Sequence, residues 1–269
     1  MSKGGSLEGK RILVTRAKEQ AKSFSGKIKE LGGIPIEIPL IKFESIRNDE
    51  NIKHYIDKID SYDWLVFTSV NGVRFFFEYL DKNNNTFTST NRPQIAVVGK
   101  KTLQPLQQRG IKVDLIPEEY VAEGLIEAMS NKVLPNSRIL IARGNLGRSI
   151  LPEKLTELGM IVDDWIVYET VIDYDKKSEL LELLLTRSID MITFTSSSTV
   201  TYFVDLLANS EWRDFLKGVQ IACIGPITER TAIEAGICPD VVAMDYTIEG
   251  LIDAIVKFYN SQYHDRVNL

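Results

Sequence analysis

The chain has 269 residues, a hydrophobic content of 44% and a formal net charge of −5. This length and apolar content suit one large domain or two ordinary ones with a sizeable core. The sequence contains neither a basic block nor a long apolar run, which argues against a nucleic-acid-binding protein and against a membrane span. The N-terminus also lacks the apolar core of a secretory signal, so we expect a cytoplasmic protein.

The first predicted elements are a strand, a helix and an extended run. Residues 10–14 form a short β-branched run typical of a buried strand, and residues 18–31 carry apolar side chains at helical spacing up to a glycine pair. Residues 34–43 alternate in polarity around Pro35 and Pro39. Because proline removes a donor from a strand ladder, this run is predicted to be an edge strand or a connection between domains.

The remaining elements of the first half alternate between strand and helix. Residues 63–67 and 95–98 are short apolar runs that enter turns, and each turn leads into a predicted helix. The polar segment at 81–93 is predicted to be a surface loop or partly disordered. A short strand at 113–116 and a short amphipathic helix at 122–129 complete this half.

The second half of the chain repeats the first half. RILIARG, which begins at Arg138, aligns without a gap with RILVTRA, which begins at Arg11. Further corresponding residues in the second and first halves are Arg143 and Arg16, Thr195 and Thr68, Gly225 and Gly99, and Thr228 and Thr102. Since each half alternates strand and helix, we predict an α/β fold with two similar doubly wound, flavodoxin-like parallel-sheet lobes. Residues after Tyr259 are predicted to form a loose tail.

Two ways of assembling the lobes are open. The four quarters of the chain can pair in order, with a boundary near Leu134, or the first quarter can cross to complete the sheet of the last. In the crossed arrangement the chain passes between lobes twice, along residues 34–44 and the matching run at 161–171. The prolines and acidic residues of these runs weaken them as central strands and favour the crossed arrangement.

Hydroxyl-bearing residues recur where predicted strands end and helices begin. The turns are TSVNG at 68–72, GKKT at 99–102, TSSST at 195–199 and GPIT at 225–228, and two more turns carry Arg16, Arg143 and Arg148. First-turn amides are unpaired and carry positive potential, so turns that face a cleft could bind a ligand with several carboxylates or phosphates. Serine and threonine at these places are more often ordinary helix caps. GKKT does not match a P-loop, and no GxGxxG motif follows a strand.

Tyr168 stands out in the second extended run. A tyrosine in such a run most often packs its ring and exposes its hydroxyl, but beside a cleft the phenol could donate a proton to a leaving oxygen. The sequence suggests no competing nucleophile from a Ser, His and Asp set or a Cys and His pair. With 2 cysteines and 2 histidines, each isolated, we expect free thiols and no metal site.

Eight motifs occur in order along nearly the whole chain: RILVTR, LVFTSVNGV, VVGKKT, YVAEGL, IARGNLGR, IVYET, ITFTSSSTV and CIGPIT. In this order they resemble the uroporphyrinogen-III synthase family. The resemblance implies a lyase of tetrapyrrole and heme biosynthesis that uses no cofactor. Such an enzyme cyclises hydroxymethylbilane, also called preuroporphyrinogen, to uroporphyrinogen III with inversion of ring D and loss of water.

The resemblance also implies the crossed arrangement of two lobes. We place lobe 1 at residues 1–37 and 173–269, lobe 2 at 44–163, and two hinge strands at 38–43 and 164–172. Tyr168 matches the position of the family's proposed acid. Positions that match the family's cleft, together with the turn residues above, give the candidate substrate-binding set Arg16, Ser69, Asn71, Gly99, Thr102, Arg143, Arg148, Thr195, Ser197, Gly225 and Thr228.

The implied partner is a small molecule, hydroxymethylbilane, whose eight carboxylates would give the helix-start turns a purpose. No nucleic-acid or membrane partner is expected, and the expected state is a monomer. Asn71 and Gln220 stand where some family members carry basic residues, so the carboxylate contacts there depart from the family pattern. Two alternatives are a flavodoxin-like FMN protein, because TSSST loosely resembles a flavin phosphate loop, and a two-lobed sensor that binds a small anion without catalysis.

Overall fold

The computed structural model describes residues 6–46, 52–83, 85, 87 and 92–267, without the side chains of residues 19 and 263–267. The chain divides into two compact units. Unit 1 comprises Met1–Lys42 and Val171–Leu269, and unit 2 comprises Phe43–Thr170. In the described part of the chain, no helix combines the length and the apolar character that a membrane span requires.

Short strands alternate with helices along the chain. The strands are β1 (Arg11–Val14), β2 (Ile34–Glu37), β3 (Ile41–Glu44), β4 (Trp64–Phe67), β5 (Gln94–Val97), β6 (Arg138–Gly144), β7 (Ile161–Ile172), β8 (Met191–Phe194), β9 (Gln220–Cys223) and β10 (Val241–Val242). The α-helices are α1 (Lys18–Glu30), α2 (Ile52–Asp57), α3 (Val70–Lys82), α4 (Lys100–Gln108), α5 (Ala122–Ser130), α6 (Ile150–Glu157), α7 (Lys177–Leu185), α8 (Ser197–Leu206), α9 (Trp212–Phe215), α10 (Pro226–Glu234) and α11 (Ile248–Val267). Short 3₁₀ turns span Ile59–Ser61 and Tyr174–Lys176.

Unit 1 contains a sheet with the strand order β10-β9-β8-β1-β2. Each neighbouring pair in this sheet is parallel. β1 is buried on both faces, as expected for a central strand of a parallel sheet. Leu13 packs in one apolar core with Phe203 of α8, while Ile12 packs in a second core with Phe24 of α1. Helices therefore cover both faces of this sheet.

Unit 2 contains a sheet with the strand order β3-β7-β6-β4-β5. The pairs formed among β4, β5, β6 and β7 are parallel. One face carries an aromatic core in which Phe67 of β4 meets Phe76 of α3 edge to face, with ring centroids 5.2 Å apart, and Trp165 of β7 packs beside them. The other face is aliphatic and joins Val66 of β4 to Leu151 of α6. This sheet is also covered by helices on both faces.

The predicted α/β fold of two similar doubly wound parallel-sheet units is confirmed. The first quarter of the chain lies in the sheet of the last quarter, because β1 is the neighbour of β8. The exact lobe boundaries and the hinge roles of residues 38–43 and 164–172 stay predictions.

Two local predictions were wrong. Residues 113–116 do not form a strand, since Leu115 makes only an isolated bridge to Ala96. The chain after Tyr259 continues as α11, since extending an existing helix adds one hydrogen bond per residue. The prediction for residues 34–43 is confirmed, because β2 and β3 are edge strands of different sheets and Pro39 lies in the break between them. The predicted loop at 81–93 lies partly outside the described residues.

Hydrogen bonds to the Asp190 carboxylate stabilise the unit 1 sheet, and their contribution to stability can be tested. Its carboxylate accepts hydrogen bonds from the backbone N–H of Arg11 at 2.7 Å and from Nε of the same residue at 3.1 Å. The hydrogen bonds from Arg11 lower the pKa of the Asp190 carboxyl. A lowered pKa in the folded state contributes stability above the unfolded pKa, and this stability is lost as the pH falls through the folded pKa.

We therefore expect Asp190→Asn to lower the free energy of unfolding by roughly 1–2 kcal/mol at neutral pH. The deficit relative to the wild-type protein should shrink as the pH falls below about 4. Urea unfolding at several pH values measures both quantities, and Asp175→Asn is the control because the Asp175 side chain is 86% exposed. A deficit that stays constant down to pH 3 would contradict the assigned role of the carboxylate.

Candidate functional site

Tyr168 lies where β7 ends its pairing with β6, and its side chain is nearly buried. The residue is 9% exposed. Its ring stacks on Phe75 with centroids 5.4 Å apart and makes an edge contact with Phe43 at 5.7 Å. The phenol oxygen lies 3.2 Å from the hydroxyl oxygen of Ser69. Packing on two sides of the ring therefore fixes the position of the hydroxyl group.

Gly144 makes room for this ring. The register between β6 and β7 shifts between Arg143 and Gly144, so that Gly144 is the residue paired with Tyr168. A Cβ atom on Gly144 would lie only 2.7 Å from the phenol oxygen of Tyr168. The close approach of the tyrosine, and not an unusual backbone angle, is the reason that this position suits glycine.

Ser69 connects Tyr168 to the start of α3. Its backbone is extended at the N-cap position, and its side-chain oxygen accepts a hydrogen bond from the N–H of Gly72 at 2.9 Å. Ser69 thus serves as a helix cap and as the hydrogen-bonding partner of the phenol. Asn71 lies in the first turn of the same helix and is half-buried.

Ser69 and Tyr168 line a cavity of about 420 Å³ at the carboxyl edge of the unit 2 sheet. This volume falls within the range of roughly 300–1,000 Å³ that is typical of small-molecule sites. The end of β6 contributes Arg143 to the lining, the segment between β6 and α6 contributes Arg148, and the segment before α5 contributes Tyr120. The structure therefore brings four of the predicted site residues to one cavity.

Arg143 is engaged by its own unit. The residue is 8% exposed, and its guanidinium donates to both carboxylate oxygens of Asp164, at 2.7 and 2.6 Å. The third nitrogen donates to the backbone carbonyls of Gly144 at 3.2 Å and Gly147 at 2.8 Å. These bonds hold the turn after β6 in place, so the guanidinium shapes the wall of the cavity. Direct binding of substrate by Arg143 stays a prediction.

Arg148 lies at the mouth of the cavity and is 65% exposed. Its guanidinium donates to both carboxylate oxygens of Glu123, at 2.8 and 3.0 Å. These hydrogen bonds lower the pKa of the Glu123 carboxyl. A ligand carboxylate that binds Arg148 must share or replace this contact, and the pair lies in water where such an exchange costs little.

Gly99 and Thr102 mark the start of α4. Gly99 has an extended backbone and precedes the helix, and a Cβ atom there would lie 3.0 Å from Cβ of Tyr120. Thr102 is only 5% exposed and packs within the unit. The Tyr120 side chain lies against the start of this turn.

In unit 1 the starts of α8 and α10 lie side by side. Ser196 caps α8 by accepting a hydrogen bond from the N–H of Thr199, and the Ser197 hydroxyl donates to the carbonyl of Ile227 at 3.4 Å. Gly225 precedes α10, and Tyr246 covers it as Tyr120 covers Gly99. The two remaining predicted residues differ in exposure, since Thr195 is half-buried and Thr228 is buried.

Arg16 follows β1 in unit 1. One terminal nitrogen donates to the side chain of Gln20 at 3.0 Å, and Nε is buried without a hydrogen-bonding partner among the described residues. Burial lowers the pKa of the guanidinium. No carboxylate of the described residues pairs with Arg16, which distinguishes it from its repeat counterpart Arg143.

Three residues of the unit 2 site were not predicted from the sequence. Asp164 and Gly144 gave no signal, because an ion pair and a register shift across neighbouring strands do not follow from spacing. Tyr120 did have a signal, since Tyr246 occupies the same position relative to Gly225 as Tyr120 does relative to Gly99. Because a tyrosine occurs at this position in both repeats, Tyr120 could have been added to the predicted site residues.

Two other features in the described part of the chain, the cysteines and a second cavity, do not provide a further catalytic or binding site. Both cysteines are free, as predicted, and burial raises the pKa of the Cys223 thiol to about 12. A larger cavity of about 640 Å³ lies at the opposite, amino edge of the unit 2 sheet. Its Asp63 and Asp114 accept hydrogen bonds from strand N–H groups at 2.7 and 2.9 Å, so they act as caps of the sheet.

Comparisons with known proteins agree with one another. The family model described as Uroporphyrinogen-III synthase HemD matches residues 22–253. The uroporphyrinogen-III synthase of Synechococcus elongatus is 34% identical over 94% of this chain and 96% of that protein. The porphyrin biosynthesis protein HemD of Ruminiclostridium josui is 27% identical over 96% of this chain and 50% of that protein. A crystal structure of a mutant uroporphyrinogen III synthase from Thermus thermophilus shares the fold, with a TM-score of 0.57 and 17% identity over 94% of this chain and 100% of that one.

Proposed function

The chain belongs to the uroporphyrinogen-III synthase family, and from this membership we propose that it cyclises hydroxymethylbilane to uroporphyrinogen III with inversion of ring D. Water is the second product, which places the reaction among the carbon–oxygen lyases. Family membership favours this activity over the FMN protein and the anion sensor. We propose that the reaction uses no cofactor and that its small-molecule substrate is the protein's principal partner.

The observation that carries the proposal is the Tyr168 phenol, which is held beside Ser69 in the unit 2 cavity. The first step removes the hydroxyl group of ring A, and a positioned acid assists the departure of a poor leaving group. The carbon–oxygen bond breaks, and the oxygen leaves as water with the phenol proton. The bilane becomes an electrophilic azafulvene, and the proton released when the macrocycle closes returns to the phenolate.

Ser69 orients the phenol proton for this step. Its oxygen already accepts from the N–H of Gly72, which leaves the serine hydrogen available as a donor to the phenol oxygen. With that arrangement the phenol proton is directed away from Ser69 and toward the cavity. The N-terminus of α3 lies behind Ser69, and its positive potential stabilises the phenolate that forms.

The second step decides which isomer forms. The azafulvene is attacked by the substituted carbon of ring D, which gives a spiro intermediate that fragments and recloses with ring D inverted. Closure without an enzyme gives the type I isomer. The protein must therefore hold the chain so that one attack is close and the other is not, and this control of approach is a large source of rate enhancement.

Backbone amides are suited to the carboxylates of the bilane. Helices α3, α4, α8 and α10 begin at Ser69, Gly99, Ser196 and Gly225, and each start offers first-turn N–H groups. In unit 2 the guanidinium groups of Arg143 and Arg148 are already paired with carboxylates. We therefore propose that the amides, more than the arginines, supply the anion contacts of an acidic protein.

The test is direct. Incubation of the protein with hydroxymethylbilane, followed by oxidation and chromatographic separation of the porphyrin isomers, should yield mostly type III. Heat-denatured protein is the control and should yield type I at the rate of buffer alone. If the native protein also gives only type I at that rate, the proposed activity is wrong.

A further inference from the structure

Asn145 connects the turn after β6 to β7 on both sides of Glu169. Its backbone N–H donates to the carbonyl of Tyr168 at 3.1 Å, and its side-chain oxygen Oδ1 accepts from the N–H of Thr170 at 2.9 Å. Asn145 follows Gly144, the residue at which β6 ends. One residue beyond the end of β6 therefore holds β7 at two points.

The side chain of Asn145 takes the place of a backbone acceptor. Gly144 pairs with Tyr168 at the end of β6. If the parallel ladder continued, the N–H of Thr170 would donate to the backbone carbonyl of Asn145. The chain turns at this point instead, since the N–H of Gly147 donates to the carbonyl of Gly144 at 3.0 Å. The amide oxygen, which can hydrogen-bond to backbone groups as a carbonyl does, therefore extends the pairing with β7 while the chain turns away.

The turn that carries Asn145 is itself fixed. The guanidinium of Arg143 donates to the backbone carbonyls of Gly144 and Gly147 at 3.2 and 2.8 Å. Unit 2 ends at Thr170. Strand ends that lack hydrogen bonds open locally at low cost, so the Asn145 side chain holds the last residue of the unit on a rigid support.

These bonds bear on the Tyr168 side chain, because its ring lies over Gly144 next to Asn145. Stacking on Phe75 and the contact between the hydroxyl groups of Tyr168 and Ser69 place the ring relative to α3. The Asn145 bonds place the backbone of Tyr168 relative to β6. The phenol moves when either its ring or its backbone moves, so both sets of contacts determine where the hydroxyl group lies.

We propose that Asn145 is a positioning residue that fixes the Tyr168 phenol for proton donation to the leaving hydroxyl group of the bilane, a role that rests on the proposed function. Asn145 acts through the backbone of Tyr168 and takes no part in the proton transfer itself. The N–H of Thr170 requires an acceptor, which an amide or a carboxylate oxygen supplies. Aspartate can therefore replace asparagine here, and alanine cannot.

The role predicts a specific kinetic signature. Asn145→Ala should lower kcat for type III formation about tenfold and leave KM within about twofold, because a displaced acid weakens transition-state stabilisation and not substrate binding. Asn145→Asp keeps an oxygen acceptor and should retain kcat within about twofold of the wild-type value. In the Tyr168→Phe protein, Asn145→Ala should not lower kcat further, because the hydroxyl group that Asn145 positions is absent.

Asp63→Ala is the matched control for stability. The Asp63 carboxylate accepts a hydrogen bond from the strand N–H of Arg138 at 2.7 Å, at the opposite edge of the same sheet. Removal of this bond should lower Tm about as much as Asn145→Ala does and leave kcat unchanged. If Asp63→Ala or Asn145→Asp loses as much kcat as Asn145→Ala, the inference is overturned.

NMR of protein with an isotope label at the tyrosine Cζ reports the surroundings of the phenol without substrate. The Tyr168 signal is assigned by its absence from the Tyr168→Phe protein. It should shift in Asn145→Ala and stay in place in Asn145→Asp and Asp63→Ala. A wild-type protein that forms no type III isomer would overturn the proposed function. An unshifted Tyr168 signal or an unchanged kcat in Asn145→Ala overturns the inference and leaves the proposed function intact.

Discussion

Tyr168→Phe is expected to slow formation of the type III isomer by roughly 10²- to 10⁴-fold, the usual contribution of a general acid. The change removes the hydroxyl that lies 3.2 Å from Ser69 and keeps the ring that packs on Phe75 and Phe43. KM should change little, because the acid acts mainly in the transition state. The rate is measured from the initial appearance of type III isomer, with the type I blank subtracted.

Tyr62→Phe is the matched control for this change. Tyr62 is 4% exposed, lies in the same unit and donates a hydrogen bond to Asp163 at 2.6 Å. Loss of the Tyr62 hydroxyl should lower the free energy of unfolding by about 1–3 kcal/mol, since a part-buried hydrogen bond to a carboxylate is removed, and should leave the rate unchanged. A Tyr168→Phe protein with the wild-type rate would exclude the phenol as the acid.

The fold could be predicted from the sequence because the chain is duplicated, so that each strand and helix motif occurs twice. A strand such as DWLVF at 63–67 is ambiguous alone, but DMITF at 190–194 followed by the same hydroxyl pair makes a strand-to-helix unit clear. The prediction of a strand at 113–116 was wrong, because a short apolar run does not by itself make a ladder. Leu115 forms only an isolated bridge to Ala96 there.

The site was readable in part. Ser69 and Tyr168 were chosen from their motifs, and the structure places them in contact across α3 and β7. The sequence did not show whether the Arg143 guanidinium is free or paired. Its partner Asp164 lies on the neighbouring strand, and no sequence pattern links an arginine to a carboxylate that far along the chain. An arginine at a helix-start turn looks the same in sequence whether it faces a ligand or holds its own loop. Which side chains pair across neighbouring strands depends on the register of those strands. Hydrophobic periodicity indicates the face of the sheet on which a residue lies, but it does not identify the partner residue on the next strand.

Gly144→Ala is expected to have the other large effect. The added Cβ would lie 2.7 Å from the Tyr168 oxygen, and the ring cannot retreat because it is stacked on Phe75. The phenol must shift by about an ångström, and a displacement of this size can cost on the order of 10²-fold in rate. Overpacking at a buried position should also lower the free energy of unfolding by roughly 1–3 kcal/mol.

A double variant shows whether Gly144 acts through Tyr168. If the alanine harms catalysis only by moving the phenol, Gly144→Ala should slow the Tyr168→Phe protein far less than it slows the wild-type protein, because the displaced hydroxyl is already absent. Gly26→Ala is the control, since a Cβ there meets nothing within 4 Å, and it should raise stability slightly and leave the rate unchanged. Rate losses that multiply in the double variant would mean that Gly144 supports the cavity independently of the phenol, and the close approach of Gly144 to Tyr168 would then have no part in positioning the acid.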